Sequence, residues 1–252
     1  MKIAIVGIGR LGTVFTRALV RNNELMLIDS DFSRASAVAT ETGAQVEKDL
    51  GKALKADMVV VAVKPAHVQE VVEQIKDAPL IISCAAGIPI GKLEAWGAKR
   101  IIRIMPNICA EFGEAVIAYA LHAESEHREK LFLTAFSALG KCIKTDESHL
   151  DPITGASGCG PAFMAFFAEA MIEEAVAQGL ERTLAEKVVA QTLVGTGKMM
   201  LGGWSTKKIM ETVASPGGAT EAGLKMLEQK AAHKAIHEAM RRAITKAREL
   251  GK

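Results

Sequence analysis

The sequence predicts an α/β fold, with a doubly wound, mostly parallel sheet in an N-terminal domain and an all-α domain after it. Over residues 1–144, short apolar runs typical of strands alternate with helical patterns, which is the order of βαβ units. After about residue 145 only helical patterns follow. The 252 residues, of which 49% are hydrophobic, are enough to form a sizeable core in one or two domains.

The strands predicted in the N-terminal domain are short and apolar, as expected for a sheet that helices cover on both faces. They are Lys2–Val6, Leu25–Ile28, Gln45–Glu47, Asp57–Val63, Leu80–Ser83, Arg100–Ile104 and Ala115–Ala120. Helices are predicted where apolar residues recur every three to four positions, over Leu11–Arg21, Phe32–Thr42 and Pro65–Ile75. Asp31 is a candidate N-cap for the second helix.

The C-terminal half is predicted to be helical over Phe163–Gln178, Leu184–Leu201, Thr206–Val213, Ala219–Glu228 and Ala231–Leu250. We therefore divide the chain into two domains, residues 1–147 and residues 148–252. The helices have long apolar faces, so we expect a homodimer built on the second domain. The alternative is that these faces are buried against the first domain.

Composition excludes several classes of protein. The net charge is only +2, charges of both signs are interspersed and 4% of residues are aromatic, so we expect no nucleic-acid partner. The longest apolar runs are far shorter than the roughly 18 residues that span a membrane. The cysteines show no CxxC spacing, which favours reduced thiols. Since Lys2–Val6 is predicted to be a strand, not a leader peptide, we expect a cytoplasmic protein.

A glycine motif lies between the first strand and the first helix. Residues Gly7, Ile8, Gly9, Arg10, Leu11 and Gly12 form the pattern G-x-G-x-x-G. In this position the motif is typical of a Rossmann domain, where it binds a dinucleotide pyrophosphate. The sequence therefore predicts a nicotinamide coenzyme, NADPH or NADH.

Residues after the second strand should meet the adenosine ribose. Asp29 is placed to accept hydrogen bonds from the ribose hydroxyls, which favours NADH slightly. Ser30, Ser33 and Arg34 could instead hold a 2′-phosphate, so both coenzymes stay open. The alternative for Asp29 is a turn or capping role.

Three further strand ends contribute candidate coenzyme-binding residues, because ligands bind at the carboxyl ends of parallel strands. These are Ala62, Val63, Lys64 and Pro65 after the fourth strand, Cys84 and Ala86 after the fifth, and Met105, Pro106 and Asn107 after the sixth. Lys64 could alternatively be a solvated lysine at a helix start. Met105–Asn107 should lie beside the nicotinamide.

A second anion site is predicted near the C-terminus. There a Ser-Pro-Gly-Gly turn, beginning at Ser215, leads directly into a helix at Ala219 and Thr220. Such a junction directs main-chain N–H groups and the positive end of a helix at one point, which suits a phosphate or a carboxylate.

The chain resembles the pyrroline-5-carboxylate reductase family from Lys2 to about Leu250. Ser215–Leu224 matches the pattern SPGG-x-T-x-x-GL, and Ser157–Ala162 matches a Ser-Gly-x-Gly-Pro-Ala segment. The resemblance implies reduction of 1-pyrroline-5-carboxylate to L-proline, the last step of proline biosynthesis. It also implies a dimer interlocked through the helical domains, often assembled into larger rings such as a decamer.

The resemblance further implies that the Ser215–Thr220 loop binds the substrate carboxylate. The main-chain N–H groups of Gly217, Gly218 and Ala219, together with Ser215, would hold it, and Thr220 would contact the ring nitrogen as the catalytic residue. The chain departs from the family at Cys159, where serine is usual, and at Asp29-Ser30, where NADP-preferring members have an asparagine–arginine type of pair. Asp49 also replaces a frequent asparagine.

No metal site is predicted, because His233 and His237 are spaced four apart on a helix but have no evident third ligand. Two other functions stay open. One is a related two-domain reductase of another small acid or imine, such as ketopantoate reductase or prephenate dehydrogenase. The other is a non-catalytic sensor of NAD(P) redox state. Neither alternative accounts for the Ser215–Thr220 segment.

Overall fold

A computed structural model describes residues 1–123 and 125–251, and these contain one eight-stranded sheet. The strand order is β3-β2-β1-β4-β5-β6-β7-β8. The strands are β1 (Lys2–Val6), β2 (Glu24–Ile28), β3 (Gln45–Glu47), β4 (Met58–Val61), β5 (Ile81–Ser83), β6 (Ile101–Met105), β7 (Ala115–Leu121) and β8 (Gly140–Lys144).

Helices cover the sheet, and the described residues after β8 form helices joined by short turns and loops. They are α1 (Arg10–Leu19), α2 (Phe32–Thr42), α3 (Val68–Ile75), α4 (Ile90–Ala95), α5 (Glu126–Phe136), α6 (Leu150–Ile153), α7 (Gly160–Ala177), α8 (Arg182–Leu201), α9 (Thr206–Val213), α10 (Ala219–Gln229) and α11 (Ala232–Leu250). Short 3₁₀ helices lie at Leu50–Lys55, Pro65–His67, Ile108–Phe112, Ser137–Leu139 and Glu147–His149, and a π-helical turn at Thr154–Gly158.

The sheet confirms the predicted doubly wound, mostly parallel architecture. Strands β1 to β6 are parallel, whereas β7 runs antiparallel to β6 and β8 runs parallel to β7. Val6 of β1 is in register with Ile28 of β2 on one side and Val61 of β4 on the other. The order of strands reverses at β1, so the carboxyl ends of these three strands face the crevice where such sheets bind ligands.

Apolar side chains fill both faces of the sheet. On one face, Phe15 of α1 packs against Phe136 of α5 with ring centroids 5.6 Å apart, and Phe132 stacks on Phe136 at 4.8 Å. On the other face, α3 buries Val72 and Ile75 against a layer that includes Val59. Because both faces are dry, the central strands consist of continuous apolar residues.

Main-chain contacts divide the chain into two compact units. The first contains Met1–Pro161 and the chain from Arg242 onward, and the second contains Ala162–Arg241. A division at residues 147 and 148 remains our prediction for the functional domains. The second unit has a small core in which Ile172 of α7 packs with Ala185 and Val189 of α8.

Several predicted elements differ in detail from the structure. The predicted strand Asp57–Val63 is limited to β4 (Met58–Val61), although the N–H of Ala62 still donates to the Val6 carbonyl at 2.8 Å. The predicted helix Pro65–Ile75 begins with a 3₁₀ turn and becomes α-helical at Val68. The elements α4, α5, α6 and β8 were not predicted, because their polar or short sequences lack a strong apolar period.

Candidate functional site

The glycine motif forms a tight turn between β1 and α1. Gly7 has φ +97°, and a Cβ there would lie 2.8 Å from the carbonyl group of Ala62. A Cβ on Gly12 would overlap the carbonyl oxygen of Gly7. Glycine is therefore required at both positions, because any larger side chain would separate the loop, the helix and β4.

At Gly9 the space beside the main chain is open, so the reason for a glycine differs from that at Gly7 and Gly12. It is the N-cap of α1, no side chain caps this helix start, and a Cβ on Gly9 would have no atom within 4 Å. The first N–H groups of α1 therefore face open space at the positive end of the helix. Arg10 is exposed beside them, whereas Ile8 is fully buried and Leu11 packs partly into the core. The turn fits the pyrophosphate of a dinucleotide.

A cavity of about 660 Å³ lies at the ends of β1, β2 and β4. It brings together the predicted residues Gly7, Gly9, Asp29, Ser30, Arg34, Ala62, Val63 and Lys64. Residues that the sequence analysis did not assign also line it, namely Val6, Ile28, Lys48, Leu50, His67, Glu70, Val71 and Gln74. Lys48 and Leu50 follow the carboxyl end of β3, so the rule that selected the other loops could have found them.

Asp29 is the most constrained polar residue in this cavity. Its Oδ2 accepts the N–H of Ile8 at 2.6 Å, and its Oδ1 accepts the N–H of Asp31 at 2.8 Å and Nη2 of Arg34 at 2.7 Å. Burial acts to raise the pKa of this carboxyl, but the bonds from Arg34, Asp31 and Ile8 outweigh it, so the pKa lies below its usual value. Asp29 is therefore ionised at neutral pH. The predicted N-cap, Asp31, accepts the N–H of Arg34.

The loop after β5 contains the predicted residues Cys84 and Ala86, both half-buried, outside the lining of the 660 Å³ cavity. The Cys84 thiol donates to the carbonyl of Val61, and burial raises its pKa to about 12. This thiol therefore stays protonated at neutral pH, which disfavours a role as a nucleophile. Pro65 begins the 3₁₀ turn before α3 and also lies outside that lining.

The loop after β6 is joined to the π-helical turn. Asn107 donates from Nδ2 to Oγ of Ser157 at 3.0 Å and to the Ser157 carbonyl at 3.3 Å. Its Oδ1 accepts the N–H of Cys109 at 3.2 Å. Met105, Pro106 and Asn107 are all buried. Two segments that the sequence analysis singled out separately therefore form one hydrogen-bonded cluster.

A buried arginine that the sequence analysis missed stabilises the same region. Arg103 on β6 is 4% exposed and pairs with Glu147 at 3.0 Å and with Asp151 at 3.2 Å. Glu147 also accepts the N–H of Ile90 at the start of α4, and Asp151 pairs with Arg248 at 3.2 Å. Arg103 thus fixes the segment before the π-helical turn against the sheet. The regular apolar strand pattern around it gave no signal of this role.

The Ser215–Thr220 loop lies in the second unit and leads into α10. Gly217 has φ +73°, and a Cβ on Gly218 would overlap Oγ of Ser215. Gly218 caps α10, and no side chain caps this helix start. Ala219 and the half-buried Thr220 form the first turn, which is therefore open to an anion.

Two of the N–H groups expected to bind a carboxylate already have partners. The N–H of Gly218 donates to the Ser215 carbonyl at 2.9 Å, which closes the turn. The N–H of Gly217 donates to Oε2 of Glu221 at 2.7 Å. The anion-binding capacity of this loop therefore centres on the first turn of α10 unless Glu221 moves away.

Histidines occupy separate places in the structure. His122 pairs with Glu94 at 2.6 Å and His149 contacts Thr145 at 2.9 Å, while His233 and His237 lie on α11. Within residues 1–123 and 125–251, no group of three His, Cys, Asp or Glu side chains could hold a metal ion. No helix in the same residues has both the length and the apolar character to cross a membrane.

Two family models match the chain. A model described as pyrroline-5-carboxylate reductase dimerisation matches residues 147–250, and one described as NADP oxidoreductase coenzyme F420-dependent matches residues 2–87. A pyrroline-5-carboxylate reductase of Methanosarcina acetivorans is 33% identical over 100% of this chain and 98% of its own length. One of Arabidopsis thaliana is 32% identical over 99% and 95%.

Solved structures show the same similarity. The Plasmodium falciparum pyrroline carboxylate reductase with NADP bound has a TM-score of 0.90 at 26% identity, covering 100% of this chain and 98% of its own. A Streptococcus pyogenes 1-pyrroline-5-carboxylate reductase has a TM-score of 0.92 at 25% identity, covering 99% and 98%. A prephenate dehydrogenase from A. aeolicus shares only the fold, with a TM-score of 0.54 at 14% identity over 99% and 98%.

Proposed function

Since the chain belongs to the pyrroline-5-carboxylate reductase family, we propose that it reduces 1-pyrroline-5-carboxylate to L-proline with NADPH or NADH, the last step of proline biosynthesis. Family membership confirms the resemblance found in the sequence and the enzyme class, an NAD(P)-dependent oxidoreductase acting on a CH–NH group. The similarity extends over the whole chain, which is the observation that carries the proposal.

The coenzyme would bind along the ends of β1, β2 and β4. The uncapped start of α1 behind Gly7–Gly12 supports a pyrophosphate site, and Asp29, Ser30 and Arg34 would face the adenosine ribose. Ala62, Val63, Lys64 and Pro65 would continue the site. The loops with Cys84 and Ala86, and with Met105, Pro106 and Asn107, would form its nicotinamide side. The bound coenzyme supplies the hydride.

The substrate would bind at the start of α10. We assign its carboxylate to the first-turn N–H groups, beginning with Ala219, with Ser215 beside them. Gly217 and Gly218 would shape the turn, and Gly217 would also donate to the carboxylate once Glu221 is displaced. The hydroxyl of Thr220 would hydrogen-bond the ring nitrogen, which favours the protonated imine that accepts hydride readily.

Exposed apolar side chains on the second unit support a homodimer through residues 148–252. Phe166 of α7 is 75% exposed and Leu201 of α8 is 90% exposed. Apolar area of this kind is normally covered in an oligomer. We propose a homodimer that can assemble into a larger ring such as a decamer, and we place the enzyme in the cytoplasm without a nucleic-acid or membrane partner. Light scattering on the purified protein gives the assembly directly.

A steady-state assay tests the proposed reaction. The purified protein is mixed with 1-pyrroline-5-carboxylate and either reduced coenzyme, and both coenzyme oxidation and L-proline formation are followed. We expect L-proline to form in equal amount to the oxidised coenzyme. Failure to oxidise either coenzyme with this substrate would overturn the proposal. Oxidation with another small imine or keto acid alone would favour the related-reductase alternative.

A further inference from the structure

We propose that Arg34 is a latent ligand for the 2′-phosphate of NADPH that Asp29 holds back, so that the Asp29–Arg34 pair gives this enzyme a preference for NADH. The inference rests on the proposed function, because it requires the adenosine ribose to lie near the end of β2. It differs from a role for Asp29 alone, since it assigns the effect to an interaction between two side chains.

The carboxylate of Asp29 is nearly saturated with donors. Its side chain is 5% exposed, and it accepts one bond on Oδ2, from Ile8, and two on Oδ1, from Asp31 and Arg34. A carboxylate has about four acceptor positions, so about one remains for a ribose hydroxyl. Asp29 is thus fixed by the main chain in the orientation that pairs with Arg34.

Arg34 has the position of a phosphate ligand, but its charge is already compensated. The side chain lines the cavity and is 48% exposed, with Nη2 2.7 Å from Asp29 and Nη1 4.0 Å from Asp31. A 2′-phosphate that approached Arg34 would have to replace a short, charge-assisted hydrogen bond and would meet the negative charge of Asp29. NADH carries no such group and meets neither obstacle.

Two lysines of the cavity would assist a phosphate once Arg34 is released. Lys48 lies on the same wall, with Nζ 4.5 Å from the ring centroid of Phe32. Lys64 and His67 also line the cavity, and Glu70 of α3 is an acidic residue in the same lining that would oppose a phosphate. Replacing Asp29 with asparagine keeps an oxygen for the N–H of Ile8 while it removes the charge that holds Arg34.

A double-mutant cycle tests the coupling through binding alone. Dissociation constants for NADH, NADPH, AMP and adenosine 2′,5′-bisphosphate are measured calorimetrically for the wild type, Asp29→Asn, Arg34→Gln and the double variant. We expect Asp29→Asn to strengthen the binding of NADPH and of the bisphosphate by about tenfold or more. Adding Arg34→Gln to this variant should remove most of that gain in affinity. The proposal is overturned if Asp29→Asn strengthens NADPH binding equally, within about twofold, in the wild-type and Arg34→Gln backgrounds.

Arg34→Gln in the wild-type background gives a second test that does not depend on Asp29→Asn folding. We expect it to change NADPH affinity by less than about threefold, because the guanidinium is held by Asp29. A loss of about tenfold or more would show that Arg34 already binds the phosphate and would overturn the proposal. Tighter binding of NADPH than NADH by the wild type would overturn it as well.

A matched pair elsewhere in the same unit serves as the control. Arg17 pairs with Glu41 at 2.8 Å, and neither residue lines the cavity. We expect Arg17→Gln and Glu41→Gln to leave the ratio of the NADH and NADPH constants within about twofold of the wild type. If the wild type binds neither coenzyme, the proposed function fails; if both bind but the cycle is additive, only this inference fails.

Discussion

The main-chain N–H of Gly217 donates a hydrogen bond to the carboxylate of Glu221, 2.7 Å away. The other carboxylate oxygen of Glu221 lies 3.0 Å from Nζ of Lys225. The bond from Lys225 and then that from Gly217 hold the pKa of Glu221 below its usual value, so it stays ionised at neutral pH. A carboxylate of the chain itself thus contacts the loop to which we assign the carboxylate of the substrate.

Replacing Glu221 with alanine should therefore strengthen substrate binding. The change frees the N–H of Gly217 and removes a like charge from the proposed site. We expect the KM for 1-pyrroline-5-carboxylate to fall by about threefold or more with little change in kcat. Glu228→Ala, at the exposed end of the same helix, is the control. A KM for Glu221→Ala that rises would mean that Glu221 supports the loop instead of competing for it.

Thr220 should contribute to catalysis through its hydroxyl group. We expect Thr220→Ala to lower kcat/KM by at least about tenfold, or about 1.4 kcal/mol of transition-state stabilisation, while coenzyme affinity stays unchanged. Thr220→Ser keeps the hydroxyl and should recover most of the rate. Steady-state kinetics on the three proteins, with coenzyme binding measured in parallel, check this. An unchanged rate in Thr220→Ala removes Thr220 from the mechanism.

Replacing two glycines of the same motif with alanine should destabilise the protein to very different degrees. A methyl group on Gly12 would overlap the Gly7 carbonyl, so we expect Gly12→Ala to lower the free energy of unfolding by about 1–3 kcal/mol or more. A methyl group on Gly9 meets no protein atom, so Gly9→Ala should cost at most about 1 kcal/mol.

Coenzyme binding separates the two glycine variants further. Since the proposed pyrophosphate site lies against Gly9, we expect Gly9→Ala to weaken the binding of both NADH and NADPH by about tenfold or more. Denaturant titration and binding titration on each variant make the comparison. Equal coenzyme affinity in Gly9→Ala and the wild type would contradict a pyrophosphate site at this turn.

Glu129 should make stability depend on pH. It accepts a hydrogen bond from Tyr119 at 2.6 Å and one from Lys144 at 3.1 Å. The bond from Tyr119 lowers the pKa of Glu129, burial opposes this and the Lys144 bond adds to the lowering, so the net shift is downward. A lowered pKa means that the stabilisation is present above the pKa of the unfolded chain and is lost as pH falls through the folded value.

Replacing Glu129 with glutamine should remove this dependence. We expect the unfolding free energy of Glu129→Gln to fall less steeply than that of the wild type as pH decreases below about 4. Glu126→Gln, an exposed carboxylate at the start of α5, is the control. Parallel curves of unfolding free energy against pH for the wild type and Glu129→Gln would show that this carboxylate does not contribute to the pH dependence.

The sequence predicted the parts of the fold that have a regular apolar period. The β1–α1–β2–α2 order and the glycine turn follow from such patterns and from glycine positions that steric contacts explain. The direction of β7 could not be predicted, because an apolar run such as Ala115–Leu121 is the same for parallel and antiparallel pairing.

Parts of the site that depend on tertiary contacts likewise could not be predicted from the sequence. Asn107 meets Ser157 across 50 positions, and Arg103 meets Glu147 across 44. The bond between Glu221 and Gly217 is local, yet the sequence pattern of a helix start does not specify which way a side chain turns. Asp29, predicted to bind the coenzyme, lies in the cavity wall, whereas its pairing with Arg34 depends on the conformation of the turn between β2 and α2.

Strand β8 was missed for a reason that bears on solubility. It is the last strand of the sheet in the described part of the chain, so one side of it exposes main-chain groups to which another polypeptide could pair. Its sequence places Lys141 and Lys144 on either side of the partly exposed Ile143. These charged residues interrupt the apolar pattern by which the other strands were predicted. They also oppose edge-to-edge stacking of molecules, since a second chain added there would bring like charges into the contact.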